Sequence, residues 1–240
     1  MVQQLSSEPS ATLIYPESDG KLMADNTKQF RWIVVIKENL ELLFATDDHV
    51  FIAGDLLWYP VEGNNTLAQA PDTMVVFGRP KGDRNSYQQW REDNIAPQVV
   101  FEILSPSNRL KEMAKKLQFY ERYGVEEYYL FDPDKLDLQG WVRAEDRLNV
   151  IEEINDWVSP QLGIKFVLTS DNLEIHRPDG ERFLTFVELG KLREQEKQKI
   201  QQLEQAQKDA IPRLHELGLT REQIANVLSL SVEEVNKVLP

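Results

Sequence analysis

Cysteine is absent from the chain, and histidine occurs three times, at His49, His176 and His215. The first absence excludes disulfides and cysteine-ligated zinc. The scatter of the histidines argues against a histidine cage, so a metal here would bind oxygen. No apolar run approaches the roughly 18 residues of a membrane span, and the opening Met-Val-Gln-Gln-Leu-Ser-Ser-Glu-Pro has neither the basic start nor the apolar centre of an export signal. A cytoplasmic protein with no membrane partner is the expectation. Positive charge is also scarce: 27 Lys and Arg against 40 Asp and Glu leave a formal net charge of -13. Polyanions are bound through Lys and Arg, so this balance weighs against a nucleic-acid binder of uniformly basic surface. It leaves room for a local basic face on an acidic body, or for carboxylates gathered around a metal ion.

What the chain does have is a 41% hydrophobic content over 240 residues, enough for one cored domain with an appendage. Residues 1–12 read as a flexible leader, and Asp19-Gly20 as a turn. After the capping pair Asn26-Thr27, apolar positions from Phe30 to Phe44 recur at a mostly helical period. Short strands follow at 50–53 and 56–59, then two apolar strands, Thr73–Phe77 and Val99–Leu104. Arg109–Tyr123 has the pattern of a helix with Leu110, Met113, Leu117, Phe119 and Tyr120 inward, ended by Gly124. Glu127–Phe131 is then a strand parallel to 99–104 after a right-handed crossover. Later strands suggest a smaller set on the edge. Residues 13–187 form the expected main domain, 188–210 a charged helix suited to pairing with a second copy, and 211–240 a helix-turn-helix-like tail whose acids Glu233 and Glu234 suit packing better than DNA reading.

Two carboxylates stand out. Asp72 sits at the mouth of one apolar strand, and Glu102 is embedded in the other. An unpaired carboxylate buried in a strand is costly enough that Glu102 calls for a cation, either a metal ion or a lysine such as Lys116 on the following helix. If Asp72 and Glu102 meet at neighbouring strand ends, they can share one divalent ion with the carbonyl of residue 103 and waters, and a lysine can neutralise a phosphoryl transition state. Glu112, one turn before Lys116, could hold its ammonium. Plainer readings stand beside these: a turn at Pro71-Asp72, an ion pair at Glu102, solvated charges at Lys115 and Lys116, and surface acids at Glu17 and Glu38, which could also add metal contacts. The long connection 78–96 interleaves Arg79, Lys81, Arg84 and Arg91 with Tyr87 and Trp90, a mixture that suits either nucleic-acid contact or a solvated lid.

Taken together, Pro71-Asp72, Glu102-Ile-Leu-Ser105 and Lys116-Leu-Gln-Phe-Tyr120 resemble the PD-(D/E)XK nuclease superfamily. The closer likeness is to a branch of restriction-endonuclease-like proteins abundant in cyanobacteria. Gly54–Pro60, Gly78–Arg84, Gly124–Tyr129 and Asp132-Pro133 are similar to that branch as well. The resemblance covers about residues 13 to 190. It implies an α/β fold with a mixed four-to-five-stranded sheet flanked by helices, Mg²⁺ or alternatively Mn²⁺ at the carboxylates, and hydrolysis of a DNA phosphodiester; assembly as a homodimer, so that two sites address two strands, is the accompanying expectation. Its pattern places lysine where this chain has Leu104; in this branch the matching position is Lys116. Asp72 and Glu102 are then the metal ligands, Asp72, Glu102 and Lys116 the catalytic set, and Arg79, Lys81, Arg84 and Arg109 the DNA contacts. The competing expectation is a catalytically silent module that keeps the core for binding or assembly.

Overall fold

The computed structural model describes residues 13–18, 20 and 24–239. The expected leader, and Asp19 of the expected turn, lie outside the described residues. The chain divides into two compact units, Met1–Phe183 and Leu184–Pro240.

The first unit is built on a mixed sheet of six strands in the order β1-β3-β5-β6-β7-β8. These are β1 (Val50–Ala53), β3 (Thr73–Phe77), β5 (Val99–Ile103), β6 (Glu127–Asp132), β7 (Asp137–Ala144) and β8 (Arg147–Val150). All neighbours are antiparallel except β5 and β6, which run parallel through a crossover containing α2 (Leu110–Arg122). The sheet is larger than the expected four or five strands because β7 and β8 extend the main sheet rather than forming a separate edge set. A second short pair, β2 (Trp58–Tyr59) with β4 (Tyr87–Gln88), is parallel, and β9 (Lys165–Leu168) with β10 (Leu173–His176) forms a hairpin.

Strand alternation sorts the core into two layers. Val99, Phe101 and Ile103 face one side, where α1 (Thr27–Leu43) packs with Ile33, Ile36 and Leu40. Val100, Met74 and Val76 face the other, against Met113, Phe119 and Tyr120 of α2. The helix α1 begins where the Asn26 side chain accepts hydrogen bonds from the backbone N–H groups of Lys28 and Gln29. Its buried stripe includes Gln29 and Asn39, whereas Phe30 and Val34 face out. Leu110, expected inward, is 88% exposed, because it lies in the first turn of α2, before the helix meets the sheet. The connection 78–96 is no solvated lid: Tyr87 and Gln89 are buried, the Tyr87 hydroxyl donates to the Ile95 carbonyl at 2.7 Å, and Trp58 donates to Gln89 at 3.0 Å.

In the second unit the charged stretch is one continuous helix, α3 (Phe186–Glu216), that runs through Pro212 and past the expected boundary at residue 210. Two short helices follow, α4 (Arg221–Leu228) and α5 (Val232–Val238), opened by capping boxes at Thr220 and Ser231. Ile211, Ile224, Ala225, Val235 and Leu239 form their common core.

Candidate active site

The antiparallel register of β3 and β5 pairs Thr73 with Phe101. Continued by one residue, it sets Asp72 opposite Glu102, and the two-residue period puts both on the α2 face with Met74, Val76 and Val100. Like charges opposite one another on a sheet repel, so this pairing needs compensation. It comes from α2. Met113, Lys116 and Tyr120 recur at helical spacing, and the last two reach the acid: Lys116 Nζ donates to Glu102 Oε2 at 2.7 Å, and the Tyr120 hydroxyl donates to Glu102 Oε1. Asp72 Oδ2 accepts the backbone N–H of Ile103 at 2.6 Å. The Ile103 carbonyl in turn accepts from Gln29 Nε2 at 2.9 Å, so α1 braces the strand end from the opposite side of the sheet.

Both acids are nearly sealed, Asp72 at 8% and Glu102 at 3% exposure. Burial, reinforced by the Glu102 charge, raises the Asp72 carboxyl well above its usual range, against the opposing pull of Lys116 and the Ile103 N–H. Burial pulls the Lys116 ammonium down, but Glu102 and Asp72 outweigh it and hold the amine above the ordinary lysine value. Burial and the Glu102 charge push the Tyr120 hydroxyl well up, so it remains a protonated donor at neutral pH. Tyr128, buried on the neighbouring strand, has a hydroxyl with no hydrogen-bond partner among the described residues.

Asp72, Glu102 and Lys116 line a cleft of about 450 Å³ together with Asp25, Gln29, Asp55, Asn108 and Glu112. Asp25 secures one rim: its Oδ2 accepts from the hydroxyls of Ser105 and Ser107, while the Asn108 side chain accepts from the Ser105 N–H at 2.7 Å, which ties the β5–α2 loop to the start of α1. Asp55, held in a left-handed conformation at φ 49°, borders the cleft and raises Asp72 further. Among the described residues no group of three or more His, Cys, Asp or Glu could hold a metal ion.

Of the residues singled out from sequence, Asp72, Glu102, Lys116 and Glu112 come together here. Glu17 and Glu38 do not: Glu17 accepts from Asn85 at 2.7 Å on the exposed surface, and Glu38 pairs with Lys37 at 3.0 Å. Lys115 is exposed on α2, and Arg109 is the exposed N-cap residue of that helix. Arg79 and Arg84 are committed to Glu92, Arg79 also to Asp93, and Arg84 lies 3.8 Å over the Phe51 ring. Lys81 donates to the Phe44 and Ala45 carbonyls at the end of α1. These three cations are engaged with groups of the fold itself. Sequence reasoning passed over Asp25, Gln29 and Asp55, and counted Tyr120 as core. The signals were a polar residue on the buried stripe of α1, an Asp following Gly in a turn, and a tyrosine one turn beyond Lys116.

A mixed sheet that brings two carboxylates and an amine together at adjacent strand ends has the organisation of the PD-(D/E)XK nucleases. Residues 15–176 match the profile of the Uma2 family, described as "Putative restriction endonuclease", and the chain belongs to that family. Its class is therefore nuclease-like. Among solved structures it is similar to a protein described as "a putative nuclease belonging to DUF820" from Anabaena variabilis ATCC 29413, at 18% identity and a TM-score of 0.42, over 56% of this chain and 72% of that one. No curated protein matches. Among the described residues no helix is long and apolar enough to cross a membrane.

Proposed function

We propose that the protein is a cytoplasmic, metal-dependent DNA endonuclease whose centre is Asp72, Glu102 and Lys116. The observation that carries this reading is the cross-strand apposition of two buried acids, with one ammonium bonded to Glu102 and all three lining one cleft. Two carboxylates against one lysine leave the buried cluster short of positive charge, and burial together with the Glu102 charge raises the Asp72 carboxyl. The donor set is hard oxygen, and each carboxylate retains acceptor sites beyond the bonds named above. Mg²⁺ tolerates few protein ligands and keeps its own waters, so Asp72 and Glu102 fit it, and Mn²⁺ can substitute. When bound, such an ion supplies an acidified water and withdraws charge from a phosphoryl oxygen. The chain's own part is electrostatic. Lys116, fixed by Glu102, offers its remaining N–H donors to the charge that develops on a phosphate in the cleft. Tyr120 keeps Glu102 oriented, and Gln29 and the Ile103 N–H keep the strand end and Asp72 in place.

The reading extends to a homodimer. On α3, Leu189, Leu192, Ile200 and Leu203 are exposed and fall on one stripe, and Lys199 and Glu204 are spaced to pair between parallel copies. A competing reading, the silent binding module, draws support from the closed Glu102–Lys116–Tyr120 network, in which both Glu102 oxygens already have donors. Plasmid relaxation separates the two. The endonuclease nicks supercoiled DNA with Mg²⁺ or Mn²⁺, stops in chelator and loses activity in Glu102→Ala. Absence of cleavage under every metal and salt condition favours the silent module.

A further inference from the structure

The chain's charge is unevenly spread, and its basic concentration lies beside the acid pair. From its N-cap Arg109 to Arg122, α2 carries five bases against two acids, a net +3 in a chain of -13. The helix is two-faced. Glu112, Met113 and Lys116 line the cleft, while Arg109, Lys111 and Lys115 are exposed. Among the described residues these three cations enter no ion pair, in contrast to Lys28 with Asp134, Lys37 with Glu38 and Glu41, and Arg79 and Arg84 with Glu92. Each remains solvated and available.

We propose that Arg109, Lys111 and Lys115 hold the backbone phosphates of a DNA duplex flanking the phosphate that enters the cleft at Lys116. The inference rests on the nuclease reading and adds the side from which the duplex approaches. The dimensions agree. Arg109 and Lys115 are about 9 Å apart along the helix axis at about 1.5 Å per residue, and phosphates recur about every 3.4 Å of axis along one strand, so the three side chains can meet two or three successive phosphates. Around the helix, at about 100° per residue, Lys111 and Lys115 share one face and Lys116 lies about 100° further round toward the cleft, on the side of Arg109, so the outer cations flank the mouth of the cleft. Such contacts carry no sequence information; they set affinity and register. This also reconciles an acidic protein with a polyanionic substrate, because binding draws on one basic helix rather than on net charge.

The test is fluorescence anisotropy of a labelled DNA duplex with the full-length protein in chelator, titrated across a KCl series. Lys111→Gln/Lys115→Gln changes two exposed side chains and leaves Asp72, Glu102 and Lys116 intact. It is expected to weaken binding by about tenfold and to lower the slope of log K against log salt by about two, since each phosphate contact contributes about 0.9. Lys191→Gln/Lys208→Gln, two exposed lysines of α3 away from its apolar stripe, is expected to leave the slope unchanged. If the wild type binds and nicks DNA but the α2 variant keeps the wild-type slope, or the α3 variant takes the loss, the inference is overturned and the nuclease reading stands. If the wild type neither binds nor cleaves DNA, both fall.

Discussion

Replacing Asp72 by Asn should stabilise the metal-free protein. Asp72 faces Glu102 across the β3–β5 register, is 8% exposed, and has its carboxyl raised well above 3.8, first by burial and then by the Glu102 charge. A raised carboxyl pKa means that the folded protein binds the proton more tightly than the unfolded chain. Stability is then lost as pH rises from about 4 through the folded value, and the deficit stays constant above it. Each unit of elevation corresponds to about 1.4 kcal/mol. Asn keeps an acceptor for the Ile103 N–H and removes the ionisable carboxyl, so Asp72→Asn should recover that amount at pH 7–8 for each unit of elevation, roughly 3–6 °C per unit in melting temperature for a domain of this size. The assay is thermal unfolding followed by circular dichroism from pH 4 to 8, with wild type and variant compared at each pH so that Glu127, raised by burial, and Asp25, lowered by its serine partners, cancel. The two curves should converge near pH 4 and separate as pH rises. Mg²⁺ should then close the gap from the other side: an ion at 100 times its dissociation constant adds about 2.7 kcal/mol to the wild type and far less to the variant. A variant that is less stable than wild type in chelator at neutral pH, or a Mg²⁺ response equal in both proteins, would refute the argument.

Lys116→Met should destabilise the protein by about 3–5 kcal/mol, because it leaves Glu102 buried without its cation; adding Glu102→Gln should restore much of the melting temperature without restoring cleavage, which separates the ion pair's structural role from its chemical one. Tyr120→Phe removes one of the two side-chain donors to Glu102 and should cost about 1–3 kcal/mol in chemical denaturation, with a reduced nicking rate at saturating DNA. Ile200→Glu/Leu203→Glu on α3 should convert a dimer to a monomer by light scattering while leaving the thermal transition of residues 13–183 in place; an unchanged mass would remove α3 from the assembly.

The main chain was readable where a single local pattern decides the outcome. The Asn26, Thr220 and Ser231 caps, the apolar period of α1, Gly124 at φ 90° after α2, and the parallel arrival of β6 follow from local chemistry and crossover handedness. The site was legible through one anomaly, an acid inside an apolar strand. That signal is not specific: Glu127 is equally buried in β6, yet it is satisfied by Tyr129, Ser159 and the Gln161 N–H with no cation. The cations of 78–96 misled for a related reason. Their partners Glu92 and Asp93 lie 8 to 14 residues away in the chain, and whether such charges meet or face solvent depends on how the connection folds back.

Composition and local pattern were enough to establish a cysteine-free α/β protein with a helical tail and a suspect pair of acids, because helix periods, caps and strand alternation act over a few residues. Which acids oppose each other, that Tyr120 and Gln29 brace them, and that Arg79, Lys81 and Arg84 are engaged while Arg109, Lys111 and Lys115 of α2 stay exposed were set by β-register and by helix packing on the sheet. Those choices rest on contacts between residues 14 to 74 positions apart in the chain, such as Lys116 with Glu102 and Gln29 with Ile103, and no local preference encodes them.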